Sequence, residues 1–230
     1  MSPEPKPPLE STEPPKPKGR VREFVDENVP TLVAAIALAL GVRWLIAEPR
    51  YIPSSSMEPT LQINDRLIVE KITYRFRGPE RGEVVVFYPP NHPLVDDTSK
   101  VYIKRVVGLP GDRLRIAKGQ VFVNERPLVE PYTAEGPRYQ LPVTSEKDCL
   151  GCFPVLAELS TSGNPVFVVP PGHFWVMGDN RNNSQDSHAW GFLPQQNLVG
   201  RAIFRYWPLD RRFGLLPTPP YATDSPSTPP

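Results

Sequence analysis

Apolar residues run almost unbroken from Val29 to Ala47 (VPTLVAAIALALGVRWLIA), with Arg43 as the only charge. A helix of about 19 residues at 1.5 Å per residue approaches the thickness of bilayer hydrocarbon, so this run predicts a transmembrane helix over 29–47. Pro30 suits its first turn and Glu48-Pro49 its end. No polar face appears between Leu32 and Val42, which argues against a buried core helix. The long polar, proline-rich lead ahead of it argues against a cleaved secretory signal. Beyond residue 60 the pattern changes to short runs of Val, Ile, Phe and Tyr separated by Gly, Pro and Asn. These predict strands over 66–72, 83–88, 101–108, 113–117, 120–124, 165–169, 173–177 and 199–207, with a hairpin turning at Lys118-Gly119. Nothing there sustains an amphipathic helix. The fold class is therefore mainly β, an antiparallel sheet that coils or folds on itself, behind one N-terminal transmembrane helix.

Composition adds the ends. The 230 residues include 32 prolines, seven of them within residues 1–17 and six within 217–230. Those stretches lack apolar periodicity and backbone donors, so they read as proline-rich disordered tails. The expected organisation is a tail over 1–28, the helix over 29–47, a β catalytic domain over 48–216 with an irregular insert at 125–165, and a tail over 217–230. Lys6, Lys16, Lys18, Arg20 and Arg22 precede the helix, which places the amino end in the cytoplasm and the domain outside it. A net charge of +1, with 26 basic and 25 acidic residues interspersed, offers no basic field for nucleic acid.

Three clusters could carry chemistry. The first is Pro53-Ser54-Ser55-Ser56-Met57-Glu58-Pro59-Thr60-Leu61, directly after the anchor, where Ser56 is a candidate nucleophile. No Gly-x-Ser-x-Gly elbow surrounds it, and the nearest histidine in sequence is His92, so another base is sought. Lys104 is the candidate, since a buried lysine loses its proton readily. Strand alternation puts Lys104 on one face with Tyr102 and Val106, and Arg105 opposite with Ile103 and Val107. Taken alone, it could equally be a lysine guarding a sheet edge. The third cluster, Gly178 to Gly191, is dense in Asp, Asn and Ser, as an elaborate solvated loop would be, yet it also holds Arg181 and Trp190. The insert holds Cys149 and Cys152. Outside the cytoplasm a short-loop disulfide suits them; a redox pair is a weaker alternative, and zinc lacks a second ligand pair.

These clusters resemble those of bacterial type I signal peptidases, the membrane-anchored serine-lysine endopeptidases that remove signal peptides from exported proteins. Ser56-Met57-Glu58-Pro59-Thr60-Leu61 is similar to the family's Ser-Met-x-Pro-Thr-Leu box, and Arg81 to Phe87 to its next strand. Lys104 to Asp112 is similar to the lysine box, and Gly178-Asp179-Asn180-Arg181 through Ser184 and Asp186-Ser187 to the last. The resemblance implies the coiled antiparallel sheets of the signal peptidase type, with Ser56 as nucleophile and Lys104 as general base. It implies that Ser54 joins the Ser56 amide in the oxyanion hole, that Ser184 orients the lysine amine, and that Asp179, Arg181 and Asp186 support the loop. His188 stands where the family commonly has an arginine paired with the acid two residues earlier. No metal or other cofactor is implied. The implied partners are the signal peptides of membrane-bound preproteins and the lipid bilayer, with the enzyme a monomer in a bacterial inner membrane or a thylakoid-type membrane. Chain length agrees: Ser56 lies nine residues beyond Ala47, at most about 30 Å from the membrane surface even if fully extended. Other readings are a serine-lysine self-cleaving regulator, which the anchor disfavours, and a non-catalytic anchored binding module.

Overall fold

The computed structural model describes residues 19–95, 97–142 and 158–218. The chain divides into two units, residues 1–41 and 42–230. Helix α1 spans Arg20–Leu45, so it begins ahead of residue 29 and carries Pro30 inside it rather than at its start. The stretch ahead of Pro30 holds no glycine or second proline, and the helix continues through it with one i→i−4 bond missing. From Phe24 to Leu45 it is long and apolar enough to cross a membrane, and none of that window is buried.

The second unit is antiparallel β structure. Its strands are β1 (Ala47–Tyr51), β2 (Arg66–Glu70), β3 (Val84–Phe87), β4 (Tyr102–Gly108), β5 (Arg113–Ala117), β6 (Gln120–Val123), β7 (Arg126–Pro127), β8 (Glu158–Leu159), β9 (Pro165–Val168), β10 (His173–Met177), β11 (Leu193–Pro194), β12 (Leu198–Trp207) and β13 (Gly214–Leu215). A large sheet runs β1-β2-β12-β3-β4-β10-β11, with β13 paired to β12, and a five-stranded sheet runs β7-β6-β5-β9-β8. All eight expected strands form, each within two residues of its expected bounds. β1 was not expected: its Pro49 read as a helix stop, but β1 lies at the edge of the sheet, where a missing N–H costs no ladder bond.

Every residue of β3 is buried. Val84 and Val86 enter one core with Met57, Leu61 and Leu67, while Val85 and Phe87 enter another with Val106, Val176 and Trp190. Such a strand, covered on both faces, reads as a continuous apolar run rather than an alternating one. A third core joins Leu114, Ile116 and Phe167 of the small sheet to Val107 and Trp175 of the large one. The chain ahead of the serine turn is tied to residues 64 and 65. The Ile52 amide donates to the Asp65 carbonyl at 2.9 Å, and the Asn64 amide donates to the Ile52 carbonyl at 2.9 Å. The Asp65 carboxylate is itself buried between Arg205 and Arg212.

Candidate active site

Met57 and Leu61 are fully buried in the core beside β3 and pin the turn that carries Ser56. Within it the Leu61 amide donates to the Met57 carbonyl at 2.9 Å, and the Glu58 amide to the Ser55 carbonyl at 3.0 Å. Lys104 enters from β4, where it is paired with Val85 of β3. Its side chain is 4 % exposed and Ser56 is 8 % exposed, so the pair is almost wholly withdrawn from water. Lys104 Nζ lies 2.7 Å from Ser56 Oγ and also donates to the Ile103 carbonyl at 3.0 Å. Burial lowers the lysine to about 8 from 10.5, and the carboxylates of Asp186 and Asp179 hold it up against that pull. Ser54 Oγ is 3.4 Å from Ser56 Oγ.

The loop from Gly178 to Asp186 closes over this turn. The Asn180 amide donates to the Ser56 carbonyl at 3.1 Å, and Asn180 Nδ2 to the Ser55 carbonyl at 3.2 Å. Asn183 Nδ2 reaches Ser55 Oγ at 2.9 Å. Gly178 is the point of closest approach: a Cβ there would sit 2.3 Å from Ser184 Oγ and 2.4 Å from the Ser56 carbonyl oxygen, too close for any residue but glycine. The loop is anchored by two buried ion pairs. Arg105, next to the lysine but on the opposite face of β4, forks onto Asp179 at 2.8 and 2.6 Å and donates to the Gly82 carbonyl at 2.7 Å. Arg181 forks onto Glu130 at 2.6 and 2.5 Å and donates through Nε to the Gly178 carbonyl. Tyr132 lies beneath the Arg105 guanidinium, 4.0 Å from ring centroid to Cζ.

Asp186 caps a single helical turn, α2 (Ser187–Trp190), and accepts from the Gly178 amide at 2.8 Å. His188 Nδ1 lies 2.8 Å from its other oxygen, so the acid and the histidine two residues on are paired. Burial would raise the Asp186 carboxyl, but the His188 contact and the Gly178 amide outweigh it and hold the group below its usual range. The His188 ring stacks on Tyr139 at 4.3 Å.

Ser56, Lys104, Ser54, Asp179, Arg181, Ser184 and Asp186 thus converge, with one difference in detail. Ser184 was expected to orient the lysine amine; its Oγ is buried against Gly178, close enough to Asp186 to help hold that carboxyl below its usual range. The amine is occupied instead by Ser56 and the Ile103 carbonyl. Asp179 and Arg181 support the loop through separate partners, not through each other. Sequence reading missed Glu130, Tyr132 and Tyr139, which lie in a proline-broken stretch without periodicity. Arg105 carried a usable signal: a charge on the strand face opposite Lys104, among apolar neighbours, requires a buried counter-ion. Cys149 and Cys152 lie outside the described residues.

A sequence profile described as "Signal peptidase, peptidase S26" matches residues 25–207 and so spans all three clusters of the site. The chain belongs to the signal peptidase S26 family. Among its relatives, "Probable signal peptidase I-2" of Synechocystis sp. is 50% identical over 81% of this chain and 74% of its own. "Signal peptidase I" of Leptolyngbya laminosa is 44% identical over 85% of this chain and 86% of its own. "Thylakoidal processing peptidase 1, chloroplastic" of Arabidopsis thaliana is 38% identical over 79% of this chain and 48% of its own. Membership in the S26 signal peptidases makes the chain a serine endopeptidase, a hydrolase, and helix α1 supports a membrane-anchored one.

Proposed function

We propose that this chain cleaves signal peptides from membrane-bound preproteins with Ser56 as nucleophile and Lys104 as general base. The observation that carries the reading is the 2.7 Å contact between two buried groups, one of them an amine that burial lowers to about 8. When the amine is neutral, the Ser56 hydroxyl donates its proton along that contact as Oγ attacks the scissile carbonyl. The Ser56 amide and the Ser54 hydroxyl take the charge that develops on the carbonyl oxygen. The protonated lysine returns the proton to the leaving amine, leaving an acyl ester on Ser56. A water molecule that gives its proton to Lys104 then hydrolyses the ester.

The substrate reaches this site as an extended strand. Among the described residues strand β1 pairs with β2 alone, and it immediately precedes the serine turn in sequence, which supports recognition by edge addition. The basic residues ahead of α1 support a cytoplasmic amino end and a catalytic domain on the far side of a bacterial inner membrane or thylakoid-type membrane. The test is cleavage of a synthetic signal peptide by the full chain in detergent. Ser56→Ala and Lys104→Ala are expected to abolish turnover while leaving the near-ultraviolet circular dichroism unchanged. Turnover retained by Lys104→Ala would defeat the assignment.

A further inference from the structure

One buried carboxylate joins His188 to the lysine. His188 Nδ1 lies 2.8 Å from Asp186 Oδ1, and the His188 backbone amide donates to the same oxygen at 3.1 Å. The other oxygen, Oδ2, accepts from the Gly178 amide at 2.8 Å, which ties the carboxylate to the point where the loop meets the serine turn. Asp186 is wholly buried, whereas the His188 side chain keeps 20 % of its surface in water. A proton can therefore reach the ring from solvent and change the charge beside a carboxylate that solvent does not touch. Stacking on Tyr139, at 4.3 Å and 18° between the planes, holds the ring against that carboxylate.

The surrounding charges are already matched. From β4 come Lys104 and Arg105, and Arg105 is taken up by Asp179 at 2.8 and 2.6 Å. From the loop comes Arg181, which is taken up by Glu130. The stretch after β7 adds Tyr132 and Tyr139, and burial drives the Tyr139 hydroxyl far above its usual range, so it stays neutral. On the Trp190 side of α2 the titratable neighbours are Tyr74 and Tyr102, with the Tyr74 hydroxyl donating to Glu83 at 3.0 Å. Strand β10 faces α2 near Val176, whose amide donates to Ser187 Oγ, and carries no titratable group from Phe174 to Met177. That leaves Lys104, Asp186 and His188 as the group whose net charge changes. Burial pulls the Lys104 amine down, and Asp186 is the first of the charges that resist. Imidazole is the side chain that gains or loses charge between about pH 5 and pH 8. A charged ring cancels the Asp186 field at the amine; a neutral ring leaves it acting in full.

Taking Lys104 as the general base, we propose that His188 is a positioning residue that acts on it through Asp186, screening the carboxylate when the ring carries a proton and releasing it when the ring is neutral. The test measures kcat of the full chain in detergent on a synthetic signal peptide from pH 5 to pH 9.5, for the wild type, His188→Arg and His188→Gln. Arginine keeps a cation beside Asp186 at every pH and can stack on Tyr139 as the imidazole does; glutamine keeps a donor without charge. At about pH 5.5 the wild type is expected to match His188→Arg and exceed His188→Gln about threefold. At about pH 7.5 it should match His188→Gln and lie about twofold below His188→Arg, and the three should meet above about pH 9, where the amine is neutral in all. Near-ultraviolet circular dichroism checks that both variants fold. Profiles displaced from the wild type by a constant factor at every pH would reveal a packing role alone and overturn the proposal, as would three coincident profiles. A wild-type rate that does not rise between pH 7 and pH 9 would instead remove Lys104 as the base, and the role of His188 with it.

Discussion

Replacing Lys104 by Met should destroy activity and stabilise the fold at neutral pH. The amine is held at about 8 by burial, against 10.5 when solvated. At 1.36 kcal/mol per pH unit this gap is about 3 kcal/mol of unfavourable interaction for the buried ammonium. Between those two pH values the unfolded chain binds the proton and the folded chain does not. Stability of the wild type therefore rises as pH climbs through that window, and the cost is fully present below the folded value. Methionine has nearly the same length and no charge, so it removes this cost. It also deletes the bonds to Ser56 Oγ and the Ile103 carbonyl, each worth about 1 kcal/mol. The variant should accordingly be about 1 kcal/mol more stable at pH 6 and lose that advantage as pH climbs toward 10.5, where the sign is reversed. The assay is urea unfolding of the full chain in detergent, followed by fluorescence of the buried Trp175 and Trp190. Titrations common to both proteins cancel in the difference. A difference that stays constant from pH 6 to pH 11 would refute the reasoning.

The same low lysine value sets the rate profile: kcat should climb about tenfold from pH 7 to pH 9, as the neutral amine becomes the major form, and a flat profile there would exclude Lys104 as the base. Ser54→Ala should lower kcat by about 10² to 10³ with KM little changed, as loss of an oxyanion donor does; steady-state kinetics on a peptide substrate checks this. Gly178→Ala forces the Ser56 carbonyl and Ser184 to give way by about an ångström, which should cost roughly 10²-fold in kcat. Glu130→Gln leaves the Arg181 guanidinium buried without its counter-charge, and urea unfolding should show a loss of about 3 kcal/mol; a loss below about 1 kcal/mol would mean that water reaches the pair.

Much of the β unit was legible because its strands are β-branched and aromatic runs punctuated by Gly, Pro and Asn. Continuous burial of Val84 to Phe87 and alternation through Leu114 and Ile116 both follow directly from those letters. The lysine was legible through alternation, and the serine through the boxes that surround it. What stayed hidden depended on contacts distant in sequence. Pro49 looked like a helix stop, and only its edge position makes it a strand residue. Pro30 looked like a helix start, yet the helix begins ten residues earlier at Arg20. Glu130 sits among prolines with no period to mark it, and its importance arises from Arg181, 51 positions away. The position of Ser184 relative to the amine was likewise a matter of tertiary packing, decided at Gly178.

The separations along the chain have a consequence for when activity appears. Ser56 and Lys104 are 48 positions apart, Arg105 and Asp179 are 74 apart, and Asn183 reaches back 128 positions to Ser55. Each closure carries the entropic cost of a long loop and forms only after the strands between have paired. The Arg181 anchor adds a contribution from the stretch that follows β7 in the small sheet, where Glu130 lies. A newly made or partly folded chain therefore holds all its reactive side chains and none of their alignment. Alignment of the candidate site is in effect a late checkpoint of folding.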